Sequence, residues 1–221
     1  MPPEQIPIVE QILSANDAAA ARNRALLDAH GVHGINVMAS PGAGKTTLIT
    51  RTALALGERR RVAVIEGDVA SSVDADKVRA LGLPAVQINT GGGCHLDALQ
   101  VGAALDQLPL SEVDLLFIEN VGNLICPVGF DLGEHTRVAI ASVPEGDDKP
   151  HKYPGIYSAV DVLVISKADL LPYIPFDLDE FRRLVRSLNP DIAIFVVSCT
   201  TGAGMDEWIE WLLRRATKTT S

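Results

Sequence analysis

The chain has 221 residues, and its 28 Asp and Glu outnumber its 19 Lys and Arg, leaving a formal charge of −9. Hydrophobic residues at 47% and charged residues at 21% suit an ordinary globular core and exclude wholesale disorder, a collagen-like chain or a repeat array. The acidic balance argues against a chain that works by neutralising nucleic-acid phosphate or anionic lipid, so neither nucleic acid nor membrane is an expected partner.

Residues 1–17 read MPPEQIPIVEQILSAND, with no basic stretch followed by an apolar run, so a secretory signal is not expected. No apolar run approaches the ~20 residues of a spanning helix. Cys94, Cys126 and Cys199 form no close pair, which fits a reducing cytoplasm and favours metal binding over disulfides. Apolar residues at helical spacing predict a helix over 6–29, and then strands and helices alternate. Strands are expected at 35–38, 62–66, 85–88, 115–119, 138–142, 162–166 and 193–198. Helices are expected at 46–56, 74–81, 95–105, 178–188 and 205–214. Such alternation predicts an α/β fold, a mostly parallel sheet with helices on both faces and ligands at the carboxyl ends of its strands; the phosphate-loop motif after the first strand makes it of the P-loop NTPase kind. The expected division is an N-terminal helical extension at 1–33, a nucleotide-binding domain at 34–214 and a tail at 215–221. The polar, proline-bearing stretch at 144–154 reads as an exposed loop.

After the first strand, Ala39-Ser40-Pro41-Gly42-Ala43-Gly44-Lys45-Thr46 fits the phosphate-loop pattern G-x-x-x-x-G-K-[ST] apart from Ala39 in place of the first glycine. Gly42, Ala43 and Gly44 can curl backbone N–H groups around phosphate, Lys45 can reach the β and γ phosphates, and Thr46 can ligate Mg²⁺. The Ala39 methyl is tolerated if that position keeps φ negative, and otherwise shifts the turn.

Ser166-Lys167-Ala168-Asp169 follows another apolar strand and approximates the guanine-reading Asn-Lys-x-Asp. Asp169 can accept from the N1–H and 2-amino group of guanine, a donor pair adenine lacks, while the Lys167 stem lies along the base. Ser166 is shorter than asparagine, so support of the phosphate loop is expected to weaken. Carboxylates close two further strands, in Glu66-Gly67-Asp68 and at Glu119. Asp68 is expected to orient an attacking water, with Asp68 and Glu119 near Mg²⁺ and Asp74 in the same segment; N-capping is the competing role for Asp68 and Asp74.

Gly91-Gly92-Gly93-Cys94-His95 and the later Cys126-Pro127 supply thiolate and imidazole ligands suited to Ni²⁺ or Zn²⁺. Three ligands do not close a structural site, but a two-fold dimer would double them. Taken singly, each of these residues reads better as packing or capping; taken with the glycine run, they point to metal. Cys199 reads as core, and His30, His33, His135 and His151 as surface or capping residues.

Together SPGAGKTTL, EGD, INTGGGCHLDA, ENVGNLICP, FDLGEHTRVAIASVPEGDDKPHKYP and SKADLLPY resemble the HypB family, the nickel-incorporation GTPases of [NiFe]-hydrogenase maturation, which are SIMIBI-class P-loop proteins. The resemblance runs from about Gly34 to Leu213. It implies a GTPase whose homodimer carries metal between protomers and delivers nickel to the hydrogenase large-subunit precursor, working with a zinc-binding accessory protein. It assigns Cys94, His95 and Cys126 to the metal, and Gly42, Ala43, Gly44, Lys45, Thr46, Thr47, Lys167 and Asp169 to the nucleotide. It also implies that Lys152 reaches the dimer partner or its nucleotide. Residues 1–29 contain neither Cys nor His, so the nickel-storing stretches of some relatives are not expected. Two rival readings are a P-loop ATPase or kinase on a small substrate, and a non-hydrolysing module that dimerises with nucleotide and metal.

Overall fold

The computed structural model describes residues 8–68 and 78–215. Its elements, in chain order, are α1 (Ile8–His30), β1 (His33–Ala39), α2 (Lys45–Leu56), β2 (Val62–Asp68), β3 (Ala85–Asn89), α3 (Ala98–Leu105), β4 (Leu115–Glu119) and β5 (Thr136–Ser142). There follow α4 (Lys149–Lys152), α5 (Pro154–Ala159), β6 (Val162–Ser166), α6 (Leu178–Leu188), β7 (Ala193–Val196) and α7 (Met205–Arg215). Of the helix expected at 74–81, residues 74–77 lie outside the described residues and 78–80 are helical. Among the described residues no helix is long and apolar enough to cross a membrane.

The seven strands form one parallel sheet in the order β3-β2-β4-β1-β5-β6-β7. From β1 the chain builds outward first on one side and later on the other, so the topological switch opens a crevice at the carboxyl end of β1. Period-two alternation decides which helix each residue meets. On one face Ile35, Val37, Val64, Phe117, Ile140 and Val164 pack with Leu48 and Ile49 of α2 and Trp208 and Leu212 of α7. On the other, Ala63, Ile65, Leu116 and Ile118 meet Leu27 of α1 and Val101 and Leu105 of α3. Beyond β1 that second face is covered by Ile156 and Tyr157 of α5 and Phe181 and Val185 of α6, against Ala139, Ala141, Leu163 and Ile165. Burial on both faces explains the near-continuous apolar strand sequences.

Two asparagines stitch α1 to the body. Asn23 Nδ2 donates to the carbonyls of Ala98 and Leu132 at 2.7 and 2.9 Å, and Asn16 donates to Asp131 and accepts from Ala98 N–H. Gly133, at φ 94°, lies so close to α1 that a Cβ would sit 2.7 Å from the Ala20 carbonyl.

Three local readings need correction. The stretch 144–154 is helical in part, with a 3₁₀ turn (Val143–Glu145), helix α4 and a buried Pro150. The 3₁₀ turn forms because Ser142 and Glu145 make a reciprocal capping box. His33 and His135 are not isolated surface residues: their rings stack at 4.9 Å, His33 Nε2 lies 2.9 Å from Thr136 Oγ1, and His135 Nε2 lies 2.8 Å from Asp28. Finally, β7 ends at Val196 rather than at 198, so Cys199 sits in the turn beyond it, half-buried against the core rather than within it.

Candidate nucleotide and metal site

At the carboxyl end of β1 the chain turns through Ser40–Gly44 into α2. Gly42 and Gly44 take φ of 77° and 102°, left-handed values that glycine adopts without cost. No side chain caps α2 at Gly44, and its first turn holds no acidic residue, so its N–H groups and the positive end of its dipole face the loop. Ala39 keeps a negative φ, is fully buried and pairs with Ile140, so its methyl fits the strand end.

Ser166 supports this loop after all. Its hydroxyl donates to the Ala43 carbonyl at 2.7 Å, because β6 brings the short side chain close enough to replace a longer amide. Lys167, at φ 59°, sends Nζ to the Gly42 carbonyl at 2.8 Å. Asp169 is oriented by Ser198, whose hydroxyl donates to Oδ1 at 2.6 Å and accepts from Thr201 N–H at 3.1 Å. Ala43, Ser166, Lys167 and Asp169 line a cavity of about 270 Å³ with Gly44, Thr47, Leu170, Cys199 and Thr200. Lys152 is outside that lining, exposed and ion-paired with Asp148.

The carboxylates gather on the α2 face. Glu66 stands opposite Glu119 in the β2–β4 ladder, both are buried, and Thr46 Oγ1 donates to Glu119 Oε1 at 2.9 Å. Asp68 is two residues beyond Glu66 and therefore on the same face, partly exposed at the strand end. Two neighbouring buried carboxylates beside a hydroxyl are hard oxygen donors that suit Mg²⁺. Asp74 falls outside the described residues. The sequence places Glu66 among the strand-end carboxylates, two residues before Asp68, but assigns it no role, and it gives Glu145 none either. Burial pushes the Glu145 carboxyl up, but hydrogen bonds from Ser40 and Ser142 and the nearby Lys149 outweigh it and hold it below the usual range.

Beyond these strand ends lie the thiols and imidazole. Cys94 and His95 occupy the β3–α3 connection; the helix begins only at Ala98, because Asp97 and Gln100 form a capping box there. Cys126 opens the 3₁₀ turn Cys126–Gly129, with Asn123 Oδ1 accepting from Ile125 N–H at 2.8 Å. One donor atom from each of Cys94, His95 and Cys126 lies within 4.8 Å of the others, and Cys94 Sγ is 3.4 Å from His95 Nδ1. The His95 ring rests on Phe130, with centroids 4.0 Å apart. A hydrogen bond with Cys126, then desolvation, pushes the Cys94 thiol up, while burial lowers His95 against the pull of Asp97. Burial thus favours the neutral imidazole, the form that can ligate a metal, whereas a thiol must shed its proton before it could do so. Cys199 lies apart from this cluster, in the lining of the cavity beside Asp169.

Residues 34–196 match the CobW/HypB/UreG nucleotide-binding domain. The chain is 53% identical to the hydrogenase maturation factor HypB of Azotobacter vinelandii over 94% of its own length and 69% of that protein. The HypB crystal structure from Helicobacter pylori in complex with nickel superposes with a TM-score of 0.87 at 36% identity, covering 94% of this chain and 99% of that one. That of HypB from Archaeoglobus fulgidus gives 0.87 at 40% identity, covering 92% and 100%. By fold and by sequence along nearly its whole length, the chain belongs to the HypB hydrogenase maturation factors, within the CobW/HypB/UreG nucleotide-binding proteins.

Proposed function

We propose that this protein is a GTP-hydrolysing metallochaperone that takes up nickel at Cys94, His95 and Cys126 and hands it on during [NiFe]-hydrogenase maturation. The observation that carries this reading is the convergence of those three donors beside the ends of the strands that bear Glu66, Asp68 and Glu119. Nickel is cargo here; Zn²⁺ competes for the same donor set. The solved relative whose title names a nickel complex supports the metal chosen.

In this account Gly42, Ala43, Gly44, Lys45, Thr46 and Thr47 hold the phosphates, and Lys167 and Asp169 read guanine from the cavity between β6 and β7. Mg²⁺, when bound, supplies positive charge against the β and γ phosphates, and Thr46, Asp68 and Glu119 would hold it. Lys45 reaches the γ phosphate, and Asp68 orients the attacking water, with Asp74 serving the same segment. Cys94 is exposed and Ile125, next to Cys126, is 67% exposed, so the cluster presents an open, partly apolar face to a second protomer. A homodimer across that face completes the coordination, and Lys152 reaches toward the partner or its nucleotide. A zinc-binding accessory protein and the hydrogenase large-subunit precursor are the proposed partners upstream and downstream. Three free cysteines fit a cytoplasmic setting.

Phosphate release from GTP and from ATP, measured side by side at saturating Mg²⁺, tests the enzymatic half. Release from GTP that is lost in Lys45→Ala supports it. Equal turnover of ATP, unaffected by Asp169→Asn, would replace it with a kinase or ATPase.

A further inference from the structure

We propose that Thr90 and Asn120 are positioning residues that tie the nucleotide-facing strand ends to the Cys94–His95 pair, so that strand movement is felt at the metal ligands. This rests on the nickel-GTPase reading above and names the residues that would carry its regulation.

The pair is slung between two anchors. On one side Thr90 N–H donates to the Asp68 carbonyl at 2.9 Å, while its hydroxyl donates to the Gly93 carbonyl at 2.9 Å and its own carbonyl accepts from Gly93 N–H at 3.2 Å. Gly93, the residue before Cys94, is thereby fixed to the last residue of β2. Gly91 and Gly92, at φ 60° and 105°, let the chain fold tightly enough for this closure.

On the other side Leu96, the residue after His95, is fully buried. Its N–H donates to Asn120 Oδ1 at 3.1 Å, and its side chain presses on Gly67, where an added Cβ would lie 2.8 Å from Leu96 Cγ. Asn120 cannot easily turn away. Its Oδ1 also accepts from Val121 N–H at 2.9 Å, and its Nδ2 donates to Asn36, which donates to Glu134 at 3.2 Å. Arg137 and Leu132 N–H hold Glu134 in turn at 2.7 Å each, and Asn36, Asn120 and Glu134 are all buried.

Strand alternation makes these anchors informative. Glu66, Asp68 and Glu119 point to the α2 face, whereas Gly67 and Asn120, their chain neighbours, point to the opposite face, where Leu96 lies. A strand end that shifts to change what its carboxylates hold must carry Gly67 and Asn120 with it. Only Cys94 and His95 separate the two anchors, so relative motion between β2 and β4 changes the spacing of the donors. Cys126 follows β4, seven residues past Glu119, and its N–H donates to Asn123 Oδ1 at 3.4 Å. Gly122, three residues past Glu119, abuts Pro41 of the phosphate loop, where a Cβ would meet the Pro41 nitrogen at 3.0 Å.

The test is a Ni²⁺ titration of the full chain, loaded with a non-hydrolysable GTP analogue or with GDP, read by the thiolate-to-nickel absorbance. It compares the wild type with Thr90→Val, Thr90→Ser and Asn120→Ala. The wild-type ratio of affinities between the two states is expected in the range of about 5- to 150-fold. Thr90→Val and Asn120→Ala are expected to shrink that ratio by about 2- to 30-fold, with Thr90→Ser keeping it. Thr90 is only half-buried, so its variants keep the test open if Asn120→Ala fails to fold. Metal-free affinity for the GTP analogue is expected to be unchanged in Thr90→Val. A wild type that gates alongside variants that gate equally, or that lose affinity by the same factor in both states, overturns the proposal. A wild-type ratio of one overturns the nickel-GTPase reading first, and this inference with it.

Discussion

Ser166 shows how a departure from a motif is read correctly only once the fold supplies the distance. The sequence predicts a weakened phosphate loop, yet the hydroxyl reaches the Ala43 carbonyl at 2.7 Å in a buried setting. Ser166→Ala should leave that carbonyl without its donor and cost about 1–3 kcal/mol, seen as a lower denaturation midpoint. Asp169 carries selectivity in this account, and losing its charge removes charge-assisted bonds. Asp169→Asn is therefore expected to weaken GTP binding by about 10- to 150-fold while leaving ATP binding nearly unchanged, in an equilibrium nucleotide titration. The thiols set a pH dependence. Because the Cys94 pKa is raised and that of His95 lowered, the imidazole gives up its proton at a lower pH than the Cys94 thiol does. Nickel affinity should rise with pH across the neutral range by about tenfold per unit for each thiol proton displaced, and fall on acidification. Titrations at a series of pH values check this; a flat profile would remove the thiolates from the site.

Elements were more legible than sites. The spans of β4, β6 and α6 follow directly from the sequence because long apolar runs and a strongly amphipathic helix leave little ambiguity. The start of α3 was misplaced at His95 because apolar spacing continues through the loop, whereas the capping box at Asp97 decides the boundary. Glu66 and Glu119 were each legible as strand-end carboxylates; that they face each other was not, because register across β2 and β4 depends on tertiary pairing. Likewise the phosphate loop and the Cys-His pair could be read locally, but Ser198, Thr90 and Asn120 act through contacts that only the folded chain brings together. Helix α1 depends on such contacts too. Asn23→Ala would strip the donors from two buried carbonyls and should cost about 1–3 kcal/mol, measured as a lower urea midpoint at unchanged slope. Where β1 and β5 begin, burial first and His135 second lower His33 to about 4. A histidine depressed in the fold binds its proton more readily when unfolded, so stability is fully present above about 6.5 and is lost as pH falls toward 4. His33→Gln should flatten that acid limb in pH-dependent unfolding.

At the scale of the whole molecule, the parallel sheet places three tasks on one edge. The phosphate loop leaves β1, the base cavity lies beyond β6 and β7, and the metal donors follow β3 and β4. In the proposed account each site reaches the others through strand ends rather than through solvent, so nucleotide and metal would exchange free energy. The proposed homodimer would use the exposed Cys94 and Ile125 at those strand ends. The most direct test is an equilibrium Ni²⁺ titration of the wild-type protein, loaded with a GTP analogue and in parallel with GDP, both with Mg²⁺, reading affinity and metal per protomer. The account predicts different affinities in the two states and fewer than one metal per protomer. Equal affinities, or one independent metal per protomer in both states, would contradict a GTP-gated site shared between protomers.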